Sequence, residues 1–277
     1  MQTEARWAVY LRTTIIAVGA LVFVFPFLWM ISTSLTSAGE LFKLPPKLIP
    51  NPIDFSGYQR LFGNPSLPLL RWVANSLLVA LAVAFLQVLT SAMAAYAFTR
   101  LNFPGRNVIF VAFLATLMVP FQVMVVPLFI EMRFLGLQET YGALIIPDMA
   151  SPFAVFLLRQ AFLQLPRELE ESAFVDGAGH IRVFLQFVLP LSRPTLATVA
   201  VFSFMGSWNN FLWPLVVIHD PSMMTLPLGL STMSSRFVTD WNLLLAGATV
   251  SVLPIIAVFL FAQRYILQGI AMSGLKG

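Results

Sequence analysis

The chain has no cysteine, only two histidines, and few charges: Asp, Glu, Lys and Arg together make up 10% of it. Without cysteine there is no disulfide and no thiol chemistry. His180 and His219 stand alone, with no Cys or carboxylate cluster at ligand spacing, which argues against a metal site. No glycine-rich loop followed by Lys and Ser or Thr is present, so the chain does not itself hydrolyse ATP. No nucleophile–base pair stands out, and no aromatic–basic interleaving suggests nucleic acid. What fills the chain instead is apolar: 58% of residues are hydrophobic. A soluble domain carries about a quarter charged residues, so this chain belongs in a lipid bilayer.

Five stretches contain no Asp, Glu, Lys or Arg: Thr13–Gly39, Trp72–Thr99, Asn107–Ile130, Pro194–His219 and Trp241–Gln263. Each exceeds the ~20 residues that a spanning helix needs. A sixth, Tyr141–Gln160, carries Asp148 inside it and Arg159 at its end. The expectation is an all-α, polytopic membrane protein with six transmembrane helices. Barrel strands alternate polar and apolar over ~10 residues, and these runs do not. The first run is also longer than the ~7–15 apolar residues of a signal-peptide core.

Lys and Arg placement orients the spans. With the N-terminus inside, the inner segments hold Arg6, Arg12, Arg100, Arg106, Arg159, Arg167, Arg182, Arg193, Arg264 and Lys276. The longer outer segments hold only Lys43, Lys47, Arg60, Arg71, Arg133 and Arg236. Both termini are therefore expected in the cytoplasm. The net charge of +4 reads as a topology signal.

The expected helices run over Leu11–Ser34, Arg71–Phe98, Asn107–Ile130, Tyr141–Leu163, Leu191–Val217 and Trp241–Leu267. Pro120 and Pro127 interrupt the third, and Pro147 and Pro152 the fourth. The outer segment Leu35–Leu70 holds six prolines, which favour extended and turned backbone over a long helix. Ala80–Ala97 is Ala-rich and lets neighbouring helices approach closely. No internal repeat is visible, which weighs against a secondary transporter built on inverted repeats.

The segment from Leu165 to Pro190 is the charged exception. Pro166 suits a first helical turn. Glu168, Glu170 and Glu171 fall where a helix dipole favours negative charge. Gly177, after Asp176, suits a left-handed helix end. A second short helix from about His180 to Phe187 then leads to Pro190. This reads as a helix–turn–helix at the cytoplasmic face, whose Leu169, Phe174, Val175 and Phe184 need cover. Charge alone leaves open an ordinary solvated loop.

This segment resembles the EAA loop of ABC-importer permease subunits: Glu171-Ser172-Ala173, then Gly177, then Phe187-Val188-Leu189-Pro190, with Ser172 in place of the usual first Ala. Ser207-Trp208-Asn209-Asn210-Phe211-Leu212-Trp213-Pro214-Leu215 resembles the Trp-Asn segment of helix 5 in carbohydrate importers. Thr225-Leu226-Pro227-Leu228-Gly229-Leu230, Asn75-Ser76, Phe103-Pro104-Gly105-Arg106, Gln263-Arg264-Tyr265 and the ending Gly274-Leu275-Lys276-Gly277 resemble the same group. The nearest type is the six-helix partner subunit of the maltose and glycerol-phosphate importers.

The resemblance implies a single type I permease domain over 1–277, with core helices within 71–267 and the coupling loop at 165–190. It implies a second homologous permease, two cytoplasmic ATPase subunits that bind the ATP and Mg, and an extracytoplasmic substrate-binding protein. The chain itself would be a transport subunit of the inner membrane, with no catalytic residue and no cofactor. Glu168, Glu170, Glu171, Ala173, Asp176, Gly177, Ala178 and Phe184 would couple to the ATPases. Lys276 and Gly277 would end a tail that reaches between them. The loop Ile218–Asp240 would reach the binding protein.

Helix 5 carries the candidate path. Ser203, Ser207 and Asn210 recur at i, i+4 and i+7 and share one face, beside a stripe of Gly206, Asn209 and Trp213. Polar groups this deep in lipid face a cavity or another helix. Trp208 or Trp213 could stack on a sugar ring while Asn amides bind hydroxyls; helix–helix contact is the alternative. Asp148, the one carboxylate within a span, is a further path candidate, unless it simply lies in the outer interface. The expected function is half of an ATP-driven import path for a carbohydrate or related polar solute. A stand-alone secondary transporter or channel is the alternative, for which Asp148 would be the only ion-coupling candidate.

Overall fold

The computed structural model describes residues 6–45, 47–65, 67–234 and 240–274, the last of these as backbone from 264 onward. Prolines set where its helices stop. α1 (Arg6–Ser34) runs through Pro26, and α14 (Trp241–Gly274) runs through Pro254. The helix over Phe121–Phe134 also runs through Pro127, where an interruption was expected, but Pro120 and Pro152 break their spans. Val119, extended before Pro120, separates α4 (Arg106–Ala115, with a 3₁₀ turn to Met118) from α5 (Phe121–Phe134). Ser151, extended before Pro152, separates α6 (Tyr141–Ile145, with a 3₁₀ turn to Asp148) from α7 (Pro152–Leu163).

Among the described residues, three helices are long and apolar enough to cross a bilayer: Val9–Ser34, Leu69–Arg100 and Trp241–Gln263. Three further pairs qualify together, bent by 102° at Val119, 45° near Met149 and 80° at Ser192, which makes six spans if each bent pair is one. Six apolar runs were expected, but not that the third turns through more than a right angle. The fifth is also not continuous. α11 (Arg193–Trp208) stops, and α12 (Leu212–Val217) restarts. Pro214 accounts for the gap, because its ring excludes the helical position of the Asn210 carbonyl four residues earlier.

The chain divides into two compact units, Met1–Leu69 with Leu230–Leu253, and Leu70–Gly229 with Pro254–Gly277. In the first, α2 (Ser56–Gly63) forms in a proline-free stretch of the outer segment and buries Leu61. Asn242 at the start of α14 is fully buried and donates to the Ser34 and Thr36 carbonyls at 3.3 and 2.8 Å, capping the end of α1. Arg60 reaches Asp240 and the Asn242 side chain. α1 otherwise turns Leu21, Phe23 and its other large apolar groups outward, as a lipid-facing helix does.

The second unit is organised around α3 (Leu69–Arg100). Ala92 and Ala95 let α3 lie against Leu158 and Phe162 of α7 and Phe110 of α4. Close packing of small residues is what holds helices together where lipid removes the hydrophobic driving force. Toward the other end of α3, Val79 and Val83 pack with Met132, Leu144, Trp213, Val217 and Leu228. The loop after α12 folds down onto this end. The Trp72 indole donates to Pro221 O (2.8 Å), the Asn75 amide donates to Ser222 O and Met224 O, and Ser76 Oγ accepts from Leu226 N (2.7 Å). Gly229 lies so close to the Trp72 ring that a Cβ would collide with it. Thus the part of the loop expected to reach outward is pinned through α13 (Leu226–Ser231), because Asn75 and Ser76 satisfy its backbone.

One outer turn depends on acidity. Glu139 has a φ of 55°. Its carboxylate accepts from the His219 and Asp220 amides and faces His219 Nδ1 at 2.8 Å. Partial burial works against the charged form, but these donors outweigh it and hold Glu139 below the usual carboxylate range. Its contribution to stability is therefore present above the unfolded carboxylate pKa and is lost as pH falls through the folded one. Glu139→Gln should destabilise the protein slightly at neutral pH, by about 0.5 kcal/mol for so exposed a group, and lower its melting temperature accordingly. The difference should be smaller at about pH 3 than at pH 7, because the contribution is lost as the carboxylate takes up its proton. Thermal unfolding in detergent at both pH values checks this, and an equal difference at both would refute it.

Candidate translocation cleft and coupling segment

A cleft of about 300 Å³ opens among α3, α5, α6–α7 and α11. Its polar lining is Gln87, Asp148, Ser151, Ser203, Ser207 and Asn210, and its aromatic lining is Phe121, Phe153 and Phe202. Gln87 ties the walls together. Its amide donates to the Asp148 backbone carbonyl at 2.6 Å, and its carbonyl accepts from Ser203 Oγ at 2.6 Å. Asp148 sits at the end of the 3₁₀ turn that breaks the fourth span, and its carboxylate faces the Asn210 carboxamide. Asn210 Oδ1 in turn accepts from the Trp213 amide in the first turn of α12.

Of the expected path residues, Ser207, Asn210 and Asp148 meet in this cleft, together with Ser203. Trp208, Asn209 and Trp213 do not line it. Trp208 is buried against Phe204, rings stacked at 5.7 Å. Trp213 is buried, with its indole donating to Ala143 O at 2.8 Å. The break at Asn209–Phe211 puts Trp213 on a new helix, so the stripe drawn from an unbroken helix does not exist. Asn209 is exposed and its amide returns to Met205 O. Both tryptophans are buried away from the cleft. Gln87 was not singled out from sequence; the available signal was one carboxamide in the middle of a charge-free helix.

The Leu165–Pro190 segment forms the helix–turn–helix expected. α8 (Arg167–Val175) ends in a Schellman turn: Ala178 N donates to Ala173 O at 2.9 Å and Gly177 N to Phe174 O at 3.0 Å. Gly177 has φ +79° with open space around it, so the turn's conformation, not crowding within this chain, requires glycine. α9 (His180–Val183) continues through a π-helical turn, Phe184–Val188, into α10 (Leu189–Leu191).

Glu168, Glu171 and Asp176 are exposed, whereas Ala173 is buried and Ala178 and Phe184 are half-buried. Glu170 is not an open carboxylate. It is buried and gripped by Arg100, whose Nε lies 2.7 and 2.8 Å from its two oxygens. The same guanidinium donates to Phe162 O, at the end of α7. One turn earlier on α3, Tyr96 reaches His180 Nδ1 at 3.2 Å and packs on Phe184. Tyr96 and Arg100 thus fasten both helices of the segment to α3. Outward, the segment shows Val175 (88% exposed), Ile181 (77%), Leu169 and Phe174 beside the free acids. Lys276 and Gly277 lie outside the described residues; α14 runs on as helix to Gly274, so residues 268–274, expected as a tail after the sixth helix, continue it instead.

An all-helical chain with broken apolar spans, a polar cleft between them and an amphipathic helix pair fixed to one of them is a membrane transport component. Residues 87–272 match the family described as binding-protein-dependent transport system inner membrane component, and the chain belongs to that family. It is 38% identical over 260 residues to the arabinooligosaccharides transport system permease protein AraQ of Halalkalibacterium halodurans, covering 93% of both chains. It is 36% identical over 263 residues to the sn-glycerol-3-phosphate transport system permease protein UgpE of Yersinia enterocolitica, covering 92% of this chain and 93% of that one. Among solved structures, a chain of a bacterial ABC transporter involved in the import of the acidic polysaccharide alginate shares the fold. Its TM-score is 0.83 at 22% identity, over 96% of this chain and 100% of that one.

Proposed function

We propose that this subunit forms half of the path of a carbohydrate-type ABC importer and carries ATP-driven motion to that path through α8–α9. Relatives that are permeases of an arabinooligosaccharide and an sn-glycerol-3-phosphate system support the solute class, although one cargo is uncharged and the other is a phosphate. In this reading 1–277 works as one transmembrane domain in the inner membrane with both termini cytoplasmic. A second permease completes the path, and two ATPase subunits holding ATP and Mg dock on α8–α9. An extracytoplasmic binding protein delivers solute. Lys276 and Gly277 end the tail that meets the ATPases.

The observation that carries this is the joint at Arg100. The helix pair that shows apolar groups to the cytoplasm is anchored, through Glu170 and Tyr96, to the helix that places Gln87 in the cleft. Gln87 and Arg100 are thirteen residues apart on α3, about 20 Å. A push on α8–α9 is therefore delivered to the cleft wall by one rigid helix. Val175→Glu puts a charge in the middle of the exposed apolar patch without touching the anchor. It should strip the ATPase subunits from the purified complex while the two permeases stay together. Retention of the ATPases at wild-type stoichiometry would refute docking on this face.

A further inference from the structure

Family membership leaves the charge of the solute open, but the cleft does not. Among the described residues, Asp148 is the only charged side chain that lines it, and no Lys, Arg or His does. Among the described residues no cation forms an ion pair with Asp148; its neighbour is the neutral Asn210 carboxamide. The other polar walls, Gln87, Ser151, Ser203 and Ser207, are uncharged, and Phe121, Phe153 and Phe202 supply flat apolar faces.

Taking the cleft as part of the solute path, we infer that Asp148 makes it a charge filter: it admits neutral polyhydroxylated solutes and disfavours those bearing carboxylate or phosphate. An unpaired carboxylate accepts hydroxyl donors in charge-assisted hydrogen bonds, and the aromatic faces suit the C–H side of a sugar ring. An anion entering the same space meets an uncompensated negative charge with no cation to offset it. At about 5 Å and an effective dielectric constant of ~20, that repulsion is worth roughly two orders of magnitude in occupancy. The filter is a local field, so it acts on any small charged probe, whatever the natural cargo.

The field can be read without knowing the cargo. Ser207→Cys introduces a single thiol into the cleft of a chain that has none. In the assembled complex, with partner-subunit cysteines removed, its reaction rates are measured with two methanethiosulfonate reagents, one carrying trimethylammonium and one sulfonate. Each rate is divided by that reagent's rate with a free thiol. With Asp148 present, the cationic reagent should be favoured about tenfold or more. Asp148→Asn should bring the ratio near one, and Asp148→Glu should keep it. Equal corrected rates in the Asp148 protein, or a ratio that Asp148→Asn leaves unchanged, would overturn the filter alone. If neither reagent reacts in any nucleotide state, the cleft is not a path and the filter falls with it. Copurification of all subunits confirms that each variant is assembled.

Discussion

Replacing Gly177 by valine should lower transport-coupled ATP hydrolysis about tenfold while the subunit still inserts and pairs. Gly177 closes the Schellman turn of α8 at φ +79°. A β-branched residue there costs of order 1–3 kcal/mol, and the turn can escape that cost by opening. Opening rotates α9 relative to α8 and splits the patch formed by Val175 and Ile181. Because an added Cβ would meet nothing in this chain, the defect follows backbone conformation, not side-chain size. Gly177→Asn, which tolerates the left-handed region, should retain much more activity than Gly177→Val. Comparing ATPase rates of the reconstituted complexes tests this. Equal losses in both variants would point to a contact with a partner instead, and full activity in both would remove the turn from the coupling.

The buried Arg100–Glu170 pair should give the largest stability effect of any single change in the segment. Glu170→Ala leaves a guanidinium buried with only carbonyl partners, and breaking such a pair costs about 3–5 kcal/mol. The double change Arg100→Met with Glu170→Leu removes both charges and should recover much of that loss, because the desolvation penalty goes with them. It should not restore coupling, since Arg100 also holds Phe162 O and so joins α3, α7 and α8. Unfolding in detergent and protease cleavage at α8 are the readouts. A double variant no more stable than Glu170→Ala would show that the pair is not the joint described.

The contrast between these two positions shows what a chain of this kind displays openly. Gly177 was readable because its requirement is local: an acid, a glycine and a small residue after a nine-residue helix. The apolar runs were readable because lipid demands length. Glu170 was not distinguishable from Glu168 and Glu171, because its partner lies seventy residues away and only packing turns it inward. The prolines at 120 and 152 announced breaks but not angles, so the 102° turn in the third span was invisible; Pro127 announced a break that α5 does not have, and the split of α11 from α12 fell where one continuous helix was expected. That split decided the fate of Trp213: projected on a continuous helix it shared a stripe with Asn209, whereas its own short helix buries it against Ala143. Gln87 was hidden for the opposite reason. A lone carboxamide among alanines has no pattern, and its meaning appears only when Ser203 and the Asp148 carbonyl come within reach.

On the proposed function, the cleft between α3 and α11 opens alternately to the two sides of the membrane under control of ATP. Single cysteines at Ser207 and Asn210 test it most directly, with Leu21→Cys on the lipid-facing side of α1 as control. The complex is labelled with a membrane-impermeant thiol reagent from one side at a time, with the ATPases nucleotide-free and then ATP-bound. Positions 207 and 210 should react from one side in one state and from the other in the other state, while position 21 stays inert throughout. Reactivity at 207 and 210 that is absent, or identical from both sides in both states, would contradict the account.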